Sequence, residues 1–196
     1  MFAAVRQKFH LSLCSNFRGQ LFRPLLIFLF ATGARLSEAL YLTWENVNLT
    51  TREVQFLDTK NGLSRGVPLH PRAVAALSNL AHREGNVFRR PDGKPYERKR
   101  DGGGQIKTGF KAACRRAGIT NFTPHDCRHT WASWTYAATR DLVALMELGG
   151  WSSERMVLRY THLNVSHRAD AIAALPWPAE ATKDFRRPGS RGRAGT

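Results

Sequence analysis

Hydrophobic positions crowd the segment 20–31, where Leu21, Phe22, Leu25, Leu26, Ile27, Phe28, Leu29 and Phe30 are interrupted only by Arg23 and Pro24. A run apolar on nearly every side predicts a buried helix, and Thr32-Gly33 predicts its stop, because glycine takes the left-handed conformation that closes helices. A second helix is expected from Arg35 through Leu36, Ala39 and Leu40 to Leu42, at helical spacing. The period then shortens. Val47-Asn48-Leu49, the alternating Glu53-Val54-Gln55-Phe56-Leu57 and Gly66-Val67-Pro68-Leu69 read as a small antiparallel sheet, with Asn61-Gly62 at a hairpin turn. Helical spacing returns at 71–82, where Ala73, Val74, Leu77 and Leu80 share a side and Pro71 occupies an early position that helices accept. Further helices are predicted over 105–117, 124–138, 141–148 and 153–160. The class expected is mainly α with a small antiparallel β-sheet (α+β), without internal repeats.

At 196 residues and 42% hydrophobic content, the chain has room for one domain with a proper core, placed at 19–176. Residues 1–18 carry Arg6, Lys8 and Arg18 and no acid, and read as a basic linker or the stump of a missing DNA-binding domain. Residues 177–196 read as a disordered basic tail. Lys and Arg number 30 against 15 Asp and Glu, a net charge of +15. Such an excess favours a polyanionic partner, because neutralising phosphates releases condensed counterions. Nucleic acid leads, an anionic membrane surface follows, and a merely basic protein is the plain alternative. The stretch 83–116 holds eleven Lys/Arg and four Asp/Glu. Within it Arg98, Lys99 and Arg100, beside three glycines, and Lys107 are expected DNA contacts, against the alternative of a solvated connector. Three unpaired cysteines, Cys14, Cys114 and Cys127, suggest neither a disulfide framework nor a CxxC metal clamp. No apolar run approaches the roughly 20 residues of a membrane helix, and the start lacks a signal-peptide pattern. A cytoplasmic protein with no membrane partner is expected.

Candidate chemistry lies in three places. Arg35 follows a glycine turn at a helix start, where a guanidinium and exposed backbone N–H groups favour a phosphate, and Glu38 can orient it from one turn on. An ordinary intrahelical salt bridge is the competing reading. In His125-Asp126-Cys127-Arg128-His129, the i, i+3, i+4 spacing puts His125, Arg128 and His129 on one helix face. Cys127 points the other way, so these residues with Cys114 make a poor zinc site. Finally, Trp151 follows paired glycines, and Tyr160, flanked by Arg159 and His162, is the tyrosine in the most polar setting. A tryptophan at a turn is commonly core, yet its indole N–H can also donate to a phosphate oxygen.

The ordered set Gly33-Ala34-Arg35, Lys60 in a hairpin, His125-x-x-Arg128, Gly150-Trp151 and Tyr160 resembles the catalytic domain of the tyrosine recombinases, the phage integrase family. The resemblance covers about 20–164 and includes Thr59-Lys60-Asn61-Gly62 before Val67-Pro68-Leu69, and Leu148-Gly149-Gly150-Trp151-Ser152. It implies the tyrosine recombinase catalytic fold and a site-specific recombinase that cleaves and rejoins double-stranded DNA through a 3′-phosphotyrosyl intermediate. By the same resemblance Arg35 and Arg128 clamp the scissile phosphate and His125 and Trp151 donate hydrogen bonds to it. Lys60 protonates the departing 5′ oxygen, Tyr160 is the nucleophile, and Glu38 supports Arg35 and the histidine. No metal or cofactor is implied, and the expected assembly is a homo-oligomer, a tetramer, on DNA.

A phenol with pKa near 10 needs a base or a strongly positive site to attack at neutral pH. Fixed cations aimed at the equatorial oxygens of a phosphoryl group lower the barrier to its transfer. Family members usually carry an N-terminal domain that closes a clamp on DNA, and only about nineteen residues precede the first predicted helix here. The alternative is therefore a truncated, catalytically silent DNA-binding remnant of an integrase. A type IB topoisomerase uses similar groups, but the hairpin lysine and the Leu-Gly-Gly-Trp context resemble integrases more closely. After Tyr160, residues 164–176 are expected either to enter a neighbouring protomer or to pack on their own core.

Overall fold

The computed structural model describes residues 22–57, 64–97 and 104–161, all within the first of the two units, Met1–Leu163 and Asn164–Thr196, into which the chain divides. The readings placed on Lys60, on the Asn61-Gly62 turn, on Arg98, Lys99 and Arg100, on residues 1–18 and on the segments beyond 161 lie outside the described residues. The elements are α1 (Phe22–Thr32), α2 (Leu36–Leu40), a short 3-10 turn at Trp44–Asn46, β1 (Val47–Asn48), β2 (Glu53–Phe56), β3 (Arg65–Pro68), α3 (Pro71–Ser78), α4 (Gly104–Arg116), α5 (Pro124–Thr139), α6 (Leu142–Gly149) and α7 (Glu154–Leu158). Helices with one small antiparallel sheet are what the hydrophobic pattern predicted.

Helix α1 is the centre of the larger core. Leu25, Phe28 and Leu29 are essentially inaccessible, and Phe28 meets Phe56 of β2 and Phe88 with ring centroids 6.2 and 5.2 Å apart. The helix packs against α3 and α5. It ends as predicted: Gly33 sits at φ +64°, and its N–H donates to Leu29 O at 3.0 Å. A Cβ at Gly33 would also fall inside the Trp131 ring, so glycine is required there for both conformation and space.

The sheet has strand order β1-β2-β3, every pair antiparallel, with Val47 opposite Val54, Val54 opposite Val67 and Phe56 opposite Arg65. Val54, Phe56 and Val67 face the core, as alternation requires. Three boundaries depart from the expected ones. Helix α3 ends at Ser78 and not at 82, and beyond it the Arg83 guanidinium donates to the carbonyls of Ser78 (2.7 Å), which a further turn of helix would have used, and of Leu80 (2.5 Å). Helix α2 is only Leu36–Leu40, with Arg35 in extended conformation (φ −65°, ψ 148°) at its start. Helix α7 stops at Leu158, leaving Tyr160 just beyond it, with its N–H on Val157 O at 2.9 Å.

A second, smaller core joins Trp131 and Ala132 of α5, Leu145 of α6, Val157 of α7 and Tyr160. Between the two cores the buried Arg128 side chain connects distant segments, and this seam holds Arg35, Glu38, His125, Arg128 and Tyr160 of the polar residues that the sequence singled out.

Candidate active site

Helix α5 positions three of these residues. Its first turn is secured by Asp126, whose carboxylate accepts from the Thr123 backbone N–H (2.8 Å) and hydroxyl (2.7 Å), and Pro124 occupies the opening position. From that anchored start, His125 and His129 lie on one face with rings 4.6 Å apart and nearly perpendicular, as the i, i+4 spacing predicted. Arg128 turns inward and is only 2% exposed. Its Nη1 donates to Gly33 O at 2.7 Å and its Nη2 to Gly149 O at 2.6 Å, while the guanidinium carbon lies 4.1 Å from the centre of the Trp151 ring. Burial, followed by the nearby Arg35 charge, pushes its pKa down to about 10, so the side chain remains cationic at neutral pH. Two of its five N–H groups are occupied by these carbonyls.

Arg35 and Glu38 form the second part. The Glu38 carboxylate closes the start of α2 by accepting from the Arg35 backbone N–H at 2.7 Å, and it also accepts from Arg35 Nη1 at 2.7 Å. The Arg35 Nη2 donates to Gly150 O at 3.1 Å. This is not an ordinary surface pair: Glu38 is 10% exposed and binds a second guanidinium, that of Arg65, which sequence reasoning did not select. Burial raises the Glu38 pKa, but the hydrogen bonds and charge of Arg65, with those of Arg35, outweigh it and leave the carboxyl below its usual value. The sequence did contain a signal for Arg65. It shares strand parity with Val67 and Leu69, both buried, and an arginine on a buried strand face demands a partner.

Tyr160 and Trp151 complete the seam. The Tyr160 residue is 5% exposed, its ring packs near Trp151 at 5.9 Å, and its hydroxyl lies 2.5 Å from His129 Nδ1. Burial pushes the Tyr160 pKa up, against a downward pull from Arg159 and Arg128. Desolvation and then the neighbouring His125 lower the pKa of His129, and desolvation and Arg128 lower that of His125. At neutral pH both imidazoles are therefore mostly uncharged, and a neutral His129 in its Nε2–H tautomer can accept a hydrogen bond from the phenol at Nδ1. His129 is a residue the sequence reading placed on the right face without giving it a role. Trp151 is both core and site: it stacks on Trp131 (6.1 Å) and covers Arg128. Gly149 makes room for it, since a Cβ there would overlap the Trp151 ring.

Of the other expected site residues, Lys107 is exposed on α4, and among the described residues no contact connects it to this seam. Cys127 is buried in the larger core, away from the histidines, and burial raises its thiol pKa well above the ordinary value. Among the described residues, no three His, Cys, Asp or Glu side chains gather as a metal site, and no helix is long and apolar enough to cross a membrane.

Comparison with known proteins gives this arrangement a context. The chain is 35% identical over 150 residues to the integrase of Salmonella phage P22, which covers 71% of this chain and 38% of the phage protein. It is 33% identical over 149 residues to the tyrosine recombinase XerC of Roseiflexus castenholzii, covering 72% of this chain and 47% of that one. The chain thus spans less than half the length of either relative. Among solved structures, the catalytic domain of bacteriophage HP1 integrase superposes with a TM-score of 0.66 at 27% identity, covering 87% of this chain and 92% of that domain. The XerA recombinase shares the fold, with a TM-score of 0.69 at 20% identity over 88% of this chain and 61% of the other. The family model described as the phage integrase family matches residues 13–167, the span that contains both cores and the whole seam from Arg35 to Tyr160, and the chain belongs to that family.

Proposed function

We propose that this chain carries the catalytic part of a site-specific DNA recombinase, cleaving and rejoining double-stranded DNA through a 3′-phosphotyrosyl link. The observation that carries the reading is the Tyr160 hydroxyl held 2.5 Å from an uncharged histidine nitrogen, beside a seam lined by the guanidinium groups of Arg35 and Arg128. In the proposed step Tyr160 Oη forms the new P–O bond, the bond from phosphorus to the 5′ oxygen breaks, and the phenol proton passes to His129 Nδ1. Because burial keeps Tyr160 protonated at neutral pH, a neighbouring acceptor is needed, and the lowered pKa of His129 keeps its lone pair available. Arg35 and Arg128 neutralise charge on the non-bridging oxygens, and exposed His125 adds a hydrogen bond. Trp151 backs Arg128 and shields the seam from water. Lys60, by its place in the family pattern, protonates the departing 5′ oxygen. The phosphotyrosyl ester retains the phosphodiester's energy, so attack by a new 5′ hydroxyl rejoins a strand without ATP.

The partners proposed are double-stranded DNA, with Arg98, Lys99, Arg100 and Lys107 contributing phosphate contacts, and further copies of the chain, as a tetramer, in the cytoplasm. The catalytic domain is assigned to 19–176. Support comes from the net charge of +15 and from the DNA bound in solved relatives such as the Tn1549 transposon integrase and XerH. The test is capture of an SDS-resistant protein–DNA adduct on nicked duplex DNA from the flanks of the gene's own locus. The parent is expected to form it and Tyr160→Phe is not. Intact DNA binding with no adduct in either protein would replace this reading by that of a silent DNA-binding remnant.

A further inference from the structure

We infer that Arg65 is a positioning residue for the phosphate clamp: it locks the Glu38 carboxylate from the side opposite Arg35, so that Arg35 is aimed and its charge stays available to a phosphate. This rests on the recombinase reading above. Arg65 stands on β3 opposite Phe56, and its guanidinium carbon lies 4.6 Å from the centre of that ring. Its side chain is 8% exposed, a placement that is unfavourable for an arginine unless its donors are matched. They are matched with direction. Nη1 and Nη2 donate to Glu38 Oε1 and Oε2 at 3.0 and 2.7 Å, the two-pronged geometry that only a guanidinium provides, and Nε donates to Leu148 O at 3.0 Å. A Cβ on Gly150 would lie 2.9 Å from Arg65 Nη1 and 3.1 Å from its Cδ, so the glycine that turns the chain at φ +64° also leaves space for this arginine.

Arg35 grips the same two features, the Glu38 carboxylate and the Gly150 turn, but its side chain is 26% exposed. The buried guanidinium therefore holds and the more exposed one is presented to a ligand. Charge gives the arrangement a function. One carboxylate faces two guanidinium groups, so the pair Arg65–Glu38 is neutral as a unit and Arg35 keeps an uncompensated positive charge. With Arg65 removed, Glu38 would neutralise Arg35, and the carboxylate, still buried, would lose its best-matched donors. Among the described residues, the charged groups facing Glu38 are Arg35 and Arg65, with Arg128 near enough to sense it.

The test uses the full chain and four variants: Arg65→Met, Arg65→Lys, Glu38→Gln and the double Arg65→Met/Glu38→Gln. Single-turnover adduct formation on the nicked duplex is followed from pH 5 to 9 beside equilibrium binding to the same DNA and thermal melting. Arg65→Met is expected to lower the cleavage rate at least tenfold at pH 7, to change DNA affinity by less than threefold, and to raise the midpoint at which Glu38 titrates by carbon-13 NMR, the acid limb of the rate itself belonging to His129. Arg65→Lys should recover part of the rate, and the double variant should be no slower than Arg65→Met, because the carboxylate that misdirects Arg35 is gone. An unmoved Glu38 midpoint in Arg65→Met, or a rate loss no larger than the loss of folded protein, overturns the inference. Should the parent form no adduct, the recombinase reading fails first. The Arg65 assignment is then judged by carbon-13 NMR titration of Glu38, where an unchanged midpoint in Arg65→Lys and Arg65→Met would overturn it and a raised midpoint in both would support the lock itself.

Discussion

Arg128 ties three segments that are far apart in sequence, and replacing it by lysine isolates what the guanidinium contributes beyond charge. Its two terminal nitrogens diverge, one to Gly33 O at 2.7 Å beyond α1 and the other to Gly149 O at 2.6 Å at the end of α6. A lysine ammonium is a single nitrogen at the end of a thinner chain, so Arg128→Lys is expected to keep one of these bonds and leave the other carbonyl buried without a partner. Loss of a charged hydrogen bond costs about 1.5–3 kcal/mol, and loss of the stacked guanidinium over Trp151 adds about 0.5–1. The sum, about 2–4 kcal/mol, lowers the melting temperature of a chain this size by roughly 5–15 °C. Adduct formation, assayed well below the variant's melting point, should fall by about a hundredfold or more, since a positioned donor to the developing charge is lost. Differential scanning calorimetry and the adduct assay check the two halves. A variant that melts with the parent would refute the structural half of the argument, because the seam would then not depend on the paired carbonyl bonds.

Other consequences follow from the same seam. His129→Ala removes the acceptor 2.5 Å from Tyr160 and should slow adduct formation by about 10²-fold at pH 7, with DNA affinity measured by gel shift nearly unchanged. Gly149→Ala places a methyl group where the Trp151 ring lies, and overpacking of this kind costs about 1–3 kcal/mol, to be read from urea denaturation, with a further loss of cleavage as Trp151 leaves Arg128. His125 and His129 both have folded pKa values below 6.5, so the unfolded chain binds more protons there. Stability should therefore fall as pH drops through 6.5 toward the folded values, and His129→Gln should flatten that part of a plot of denaturation midpoint against pH. Glu38 contributes in the same direction at lower pH: its folded pKa lies below 4.5, so its stabilisation is present above 4.5 and is lost as pH falls through the folded value, a limb that Glu38→Gln should remove.

Local chemistry in the chain determined the elements and much of the seam. A continuous apolar run marked α1, helical spacing marked α2 and α3 because burial of one face repeats every 3.6 residues, and Gly33 marked a helix end because a left-handed φ suits that residue. The same periodicity put His125, Arg128 and His129 together, since i, i+3 and i+4 meet within a single helix. What tertiary structure alone decided is which of these groups met partners from elsewhere. Glu38 and Arg65 lie 27 positions apart, His129 and Tyr160 31, and Arg128 and Gly33 95. No helical or strand period reaches across such separations, and the hydrogen bonds exist only because packing of the two cores brings β3, α2 and the chain after α7 to one seam. Arg65 is the clearest case. Strand parity with Val67 was a signal the sequence reading did not use, and only the approach of α2 and the open space at Gly150 turned a buried charge into a two-pronged hold on Glu38.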